Sequence, residues 1–301
     1  MAEEVTEVKE KKKKELPIAQ VTTCKSTQQM LRKAAEDGVE TAFHRAADMK
    51  ACPIGADSAC CKHCAMGPCR LSSKDPYGKT GVCGASIDVI ASRNFARMVA
   101  CGTAAHTDHG MTMLDVFRGV VNGEIKDYQI KDEQKLFDVA EGLGIETEGR
   151  TVKEIATDLY QELERTYTQV EGEIPFANRV PPKTLQTWRE AGIVPRGAMR
   201  EIMEIMHRTH MGVDQDHENM VKQCSRTALA DGWGGSMVAT EISDILFGTP
   251  SPVLAGVDMG CLDEKQVNII VNGHEPNLFE SIIASVNDPK LLKEAKAAGA
   301  E

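Results

Sequence analysis

Residues 52–83, CPIGADSACCKHCAMGPCRLSSKDPYGKTGVC, decide how the rest of the chain is read. Six of the ten cysteines stand in this stretch, at positions 52, 60, 61, 64, 69 and 83. Cys61, Cys64, Cys69 and Cys83 form a C-x2-C-x4-C-x13-C pattern, and Cys52 and Cys60 lie just upstream. Cysteines this dense organise a fold only when something covalent or metallic ties them. Disulfides fit worst. The opening MAEEVTEVKEKKKKELP carries no apolar run after its charges, so no secretory signal is visible, and thiols in a reducing compartment do not stay paired. A zinc site usually draws on two close pairs; Cys61 and Cys64 make one, but Cys69 and Cys83 do not make a second. An iron–sulfur cluster accepts looser spacing, with three thiolates from a compact loop and a fourth from further along. The Gly67–Pro68 step suits such a loop, because glycine can take positive φ and proline stiffens the turn. Spacing favours iron–sulfur and leaves zinc as the structural alternative.

The 301 residues suit one large or two modest domains. With 42% hydrophobic residues the composition is globular, and no stretch approaches the roughly 18 consecutive apolar residues of a membrane span. A net charge of −10 argues against a nucleic-acid partner and, with no signal segment in view, fits the cytoplasm. Aromatics are scarce at 4%, whereas 14 methionines suit adaptable helix–helix packing. Residues 1–16 mix Glu and Lys and read as a disordered, charged tail.

Around the cysteine stretch the pattern is helical. Ser26 can cap a helix to Asp37, ended by Gly38, and a shorter one from Thr41 to Met49 leads to Cys52. A long helix is predicted from Ala85 to Gly102, with Ile87, Ile90, Ala91, Met98 and Cys101 on its buried stripe. Cys101 then reads as a buried thiol, and Cys24 as an ordinary one. Arg93 and Arg97, four apart, are either surface charges or neutralise a nearby anionic cluster. His106 and His109 share a helix face, which alone suggests two partly exposed histidines. Pro175, Pro181 and Pro182 mark an internal boundary near 175–183. Helical periodicity resumes and runs from His217 to Phe247, interrupted at Gly232, Gly234 and Gly235; Asp231 opens this glycine-rich break. Finally VNIIV, residues 267–271, reads as a buried parallel strand with His274 at its carboxyl end, followed by a helix to Val286. The fold expected is mainly α: a helical iron–sulfur domain over 17–260, then over 261–301 the first βα unit of a truncated Rossmann-like α/β domain. A strand that apolar needs neighbours on both edges, so a downstream half is expected to complete it, either because the chain is a truncated form, fragment or incomplete gene product or because a second chain supplies it.

The segments CCKHCAMGPCRL, GVCGASIDVIASRN, AAHTDHG, TALAD, SDILFGTP and NIIVNGHEP together resemble the anaerobic nickel-containing carbon monoxide dehydrogenases over most of residues 40–286. The resemblance implies a [4Fe–4S] cluster held within the subunit by Cys61, Cys64, Cys69 and Cys83. It implies a second iron–sulfur cluster bridging a homodimer, held by Cys52 and Cys60 of each copy. It further implies that His274 ligates an iron of a nickel–iron–sulfur active-site cluster whose other ligands lie downstream. Asn272 stands where the family often has another histidine, and Cys261 replaces a residue that is usually aliphatic, so Cys261 is not counted as a ligand. His106, His109 and Asp231 match proton-handling positions, although the next two rungs of the family's histidine ladder are here Thr112 and Asp115. The implied reaction is CO + H2O to CO2, two protons and two electrons, with a ferredoxin-like acceptor. A non-catalytic iron–sulfur carrier or scaffold is the alternative.

Overall fold

The computed structural model describes residues 17–252, 265, 269, 271 and 276–299. Three short helices, α1 (Ile18–Val21), α2 (Lys25–Glu36) and α3 (Ala42–Asp48), precede α4 (Pro53–Ala56) and a two-stranded antiparallel ribbon, β1 (Cys60–Cys61) and β2 (Cys69–Arg70). The remainder is helical: α5 (Ile87–Asn122), α6 (Glu133–Gly142), α7 (Val152–Thr168), a 3₁₀ turn (Pro175–Arg179), α8 (Pro182–Ala191), α9 (Ala198–Arg208), α10 (His217–Ala230), a π turn (Asp231–Ser236), α11 (Met237–Phe247), α12 (Pro276–Asn287) and α13 (Pro289–Ala297). The mainly helical expectation is met. The predicted strand at 267–271, His274 and Cys261 lie outside the described residues, apart from Ile269 and Val271. No described helix is long and apolar enough to cross a membrane.

The organising element is α5. Ser86 caps it by accepting from the Val89 N–H, Asp88 sits favourably in its first turn, and Gly123, at φ 74°, ends it in the left-handed conformation. Its 36 residues make a rod about 54 Å long. It therefore runs one full span beyond the end expected at Gly102. That glycine faces open space and is tolerated, whereas Gly110 is required by packing. The buried positions Val89, Arg93, Ala96, Ala100, Thr103, Thr107, Gly110, Leu114 and Phe117 recur every three or four residues. The middle of this stripe is built from small side chains, which lets α10 and the π turn lie close against the α5 backbone. Below it, Met113, Leu114 and Phe117 enter the main core with Leu136 and Val139 of α6, Ile155, Leu159 and Leu163 of α7, and Val238, Ile242 and Ile245 of α11. Each such side chain contributes about 1.5–3 kcal/mol on burial. A capping box starts α7: the Glu154 N–H donates to Thr151 Oγ1, and the Thr151 N–H donates to Glu154 Oε2.

One fully buried carboxylate fixes α9. Glu201 accepts from the Arg196 N–H and Nε at 3.0 and 2.8 Å, and from Gln223 Nε2 at 2.9 Å. Both oxygens are thus satisfied, as a buried charge requires. Through Gln223 this network ties α9 to α10.

The glycine-rich segment after Ala230 is not a break. Asp231–Ser236 continues α10 into α11 as a single π turn. A Cβ on Gly235 would lie 2.6 Å from the His106 carbonyl carbon and 2.8 Å from the Thr107 nitrogen. The glycine is there because two helix backbones touch, not because the chain turns away.

Candidate functional site

The ribbon sets Cys61 directly opposite Cys69. Cys64 lies in the connection between its strands, and Cys83 sits in the loop that leads into α5. These four cysteines line one pocket, together with His63, Arg93 and Thr209 among others. The Gly67–Pro68 step has a different cause from the one expected. Gly67 is not at positive φ. A Cβ there would instead stand 3.1 Å from the Cys61 carbonyl and 3.3 Å from the Cys69 nitrogen, so glycine keeps the loop tight around the pocket.

Backbone and side-chain donors already point at the sulfurs. The Val82 N–H donates to Cys69 Sγ at 3.4 Å, and Arg93 Nη1 donates to Cys83 Sγ at 3.5 Å. Burial would push the Cys83 thiol up, but the Arg93 guanidinium and the N–H groups of Ala85 and Gly212 outweigh it and hold the thiol down at about 7. All four thiols are free. Among the described residues no three His, Cys, Asp or Glu side chains stand close enough to share a single metal ion. Four thiolates lining one pocket could hold an iron–sulfur cluster.

Cys52 and Cys60 border a separate, open groove with Lys62, His63, Asn94, Arg97, Met98 and Cys101. Cys52 is exposed at the start of α4, where the Gly55 and Ile54 N–H groups lower its thiol. Cys60 is half-buried. Cys101 is exposed rather than buried, and Met98 is 67% exposed, so the stripe expected on this part of α5 is rotated: Arg93 takes the inward position instead. Asn94 secures the wall common to pocket and groove. Its Nδ2 donates to the Ser58 and Cys60 carbonyls at 3.1 and 3.2 Å, and its Oδ1 lies 2.9 Å from His63 Nε2. Neither His63 nor Asn94 was singled out in the sequence; the only signal is that His63 falls between Cys61 and Cys64.

Further along α5, His106 Nδ1 meets Asp231 Oδ1 at 2.7 Å. These residues are far apart in sequence and are brought together by the close crossing at Gly235. Arg93 and His106 are 13 residues apart on one helix, about 20 Å along its axis. His109 is half-buried one turn on. Thr112 Oγ1 donates to the Asp108 carbonyl at 3.1 Å, and the exposed Asp115 pairs with Arg118 at 3.0 Å, so both of these side chains are engaged locally.

Comparison with known proteins gives a consistent placement. Residues 59–301 match the model of the Prismane/CO dehydrogenase family. The chain belongs to that family. Among curated CO dehydrogenase relatives, carbon monoxide dehydrogenase 1 of Methanosarcina mazei is 45% identical over 279 residues, covering 91% of this chain and 44% of the relative. The carbon monoxide dehydrogenase/acetyl-CoA synthase subunit beta of Moorella thermoacetica is 39% identical over 277 residues, covering 91% of this chain and 41% of its own length. Among solved structures, a Ni-free carbon monoxide dehydrogenase from Thermococcus sp. AM4 superposes with a TM-score of 0.87 at 42% identity, over 96% of this chain and 46% of that one. An acetyl-CoA synthase/carbon monoxide dehydrogenase described with NiZn[Fe4S4] and NiNi[Fe4S4] clusters superposes with a TM-score of 0.81 at 39% identity, over 91% of this chain and 41% of that one. The chain therefore spans less than half the length of the CO dehydrogenases it matches.

Proposed function

We propose that this chain is the cluster-bearing helical half of an anaerobic carbon monoxide dehydrogenase. In this reading Cys61, Cys64, Cys69 and Cys83 hold a [4Fe–4S] cluster. Cys52 and Cys60 join the same residues of a second copy to hold a bridging cluster, which makes the homodimer obligate. Residues 17–260 form the helical domain, with an internal boundary near 175–183, and residues 261–301 begin a Rossmann-like domain in which His274 is one ligand of the active-site centre. A downstream half supplies the others, and a ferredoxin-like protein takes the electrons in the cytoplasm. When bound, the nickel–iron–sulfur centre supplies CO binding and water activation for CO + H2O to CO2, two protons and two electrons.

The chain's own contribution to that chemistry is proton handling. With Nδ1–H donating to Asp231, the lone pair of neutral His106 lies on Nε2, which can accept a proton while the Asp231 carboxylate stabilises the imidazolium formed. His109, one turn on, is the next relay position. The observation that carries the reading is the gathering of four free thiols around one pocket, in a chain of this family.

Anaerobic reconstitution tests it. Residues 1–301 are expected to take up iron and sulfide but to show no CO-dependent dye reduction until the downstream half is supplied. Robust CO oxidation with stoichiometric nickel from residues 1–301 alone would contradict the division of labour. A completed assembly that loads every metal yet never reduces dye under CO would leave the non-catalytic carrier or scaffold.

A further inference from the structure

Arg93 is 1% exposed and is the largest of the fully buried side chains. A guanidinium cannot shed its charge on burial, so it needs a counter-charge or a complete set of acceptors. It has neither among the described residues. Nη2 donates to the Asp214 carbonyl at 2.8 Å and Nη1 to Cys83 Sγ at 3.5 Å, while Nε has no hydrogen-bond partner among the described residues. The Asp214 carboxylate, the obvious candidate counter-ion, is committed elsewhere: it accepts from Arg208 and Asn219, each at 3.0 Å. No ion pair to Arg93 is formed among the described residues. A buried cation is thus left facing four thiols.

We propose that Arg93 is the fixed counter-charge of the cluster held by Cys61, Cys64, Cys69 and Cys83, and that its buried guanidinium sets that cluster's reduction potential. This rests on the iron–sulfur reading of the pocket. A four-thiolate [4Fe–4S] cluster is a dianion when oxidised and a trianion when reduced. A nearby cation stabilises the second more than the first and raises the potential. Arg97, four residues on, does not share the role: it is half-buried, gives its Nε to Thr209 Oγ1 at 2.6 Å, and borders the Cys52/Cys60 groove instead. Arg93 is a positioning and tuning residue, one step removed from the reacting atoms.

The test is an EPR-monitored redox titration of the full chain, reconstituted anaerobically, following the signal that Cys61→Ser abolishes. Arg93→Gln keeps a donor for the Asp214 carbonyl and removes the charge. Its reduction equilibrium constant is expected to fall at least about tenfold, a drop of about 59 mV for one electron, whereas Arg93→Lys stays within about threefold of wild type. A loaded Arg93→Gln protein with unmoved potential overturns the proposal. If Arg93→Gln loses its iron and Arg93→Lys keeps it, charge is what the cluster requires, and the proposal stands. Loss from both variants makes the guanidinium's shape decisive and overturns it. Wild-type protein without acid-labile sulfide removes the iron–sulfur reading itself, a result visible before any variant is compared.

Discussion

Alanine substituted in turn at Gly232, Gly234 and Gly235 probes how Asp231 reaches His106. All three glycines lie within one π turn, so intrinsic propensity alone predicts a similar gain at each, about 1 kcal/mol for replacing glycine by alanine in a helix. The surroundings separate them. At Gly232 a Cβ meets nothing within 4 Å. At Gly234 it lies 3.3 Å from Ile174 Cδ1 and 3.4 Å from Ala198 Cβ, side-chain atoms that can yield by a few tenths of an ångström. At Gly235 it lies 2.6 Å from the His106 carbonyl carbon and 2.8 Å from the His106 oxygen. Those are backbone atoms in the middle of α5, and they can move only with the helix. Ordinary contact there needs a displacement of about 0.8–1 Å, a strain in the range of about 1–3 kcal/mol for overpacking that exceeds the propensity gain. Gly232→Ala is therefore expected to stabilise, Gly234→Ala to be near neutral, and Gly235→Ala to destabilise by up to about 2 kcal/mol net. The same displacement carries Asp231, one turn earlier, away from His106 and lengthens their 2.7 Å hydrogen bond. Urea unfolding midpoints at constant slope measure the order, and a crystal structure of Gly235→Ala measures the separation. A Gly235→Ala protein as stable as Gly232→Ala, with the His106–Asp231 bond intact, would refute the close-crossing explanation.

Acid should weaken the α9 region only below the ordinary carboxylate range. Burial would raise the Glu204 carboxyl, but the guanidinium groups of Arg196 and Arg208 override it and hold it down at about 2. Its stabilisation is complete above the unfolded value of about 4.3 and is lost as pH falls from there through about 2; Glu204→Gln should cost about 1–3 kcal/mol at pH 7 and flatten the dependence in that window, measured by urea unfolding at each pH. Tyr167 is the opposite case. Its hydroxyl has no hydrogen-bond partner among the described residues, and burial pushes the phenol well above its ordinary range. Tyr167→Phe is expected to leave stability unchanged or raise it by up to about 1 kcal/mol, and a loss above about 1 kcal/mol by the same unfolding assay would reveal a partner for the hydroxyl.

The cysteine loop was legible because ligand spacing is a local property: Cys61, Cys64, Cys69 and Cys83 do line one pocket. The helices beginning near Thr41 and Ala85 were legible for the same reason, although the second continues past Gly102 to Asn122, and α2 starts earlier than expected, with Cys24 rather than Ser26 at its N-cap. What the chain could not reveal by itself was the identity of each helix's neighbour. Gly110, Gly234 and Gly235 look like interruptions in isolation and become contact surfaces once α5 and the π turn cross. Arg93 and Arg97 are equivalent by spacing; only the Asp214 carbonyl, 121 residues away, draws one of them inward. The same rotation leaves Cys101 and Met98 exposed where periodicity placed them inside. The contact between His106 and Asp231 is also a property of that crossing, and residue type alone gave no sign of it.

One analysis bears most directly on the whole account: iron, zinc and acid-labile sulfide measured on the anaerobically reconstituted protein, beside a Cys61→Ser variant. Iron and sulfide in equal amounts, without zinc and reduced in the variant, is the expected result. Zinc bound without sulfide would contradict it.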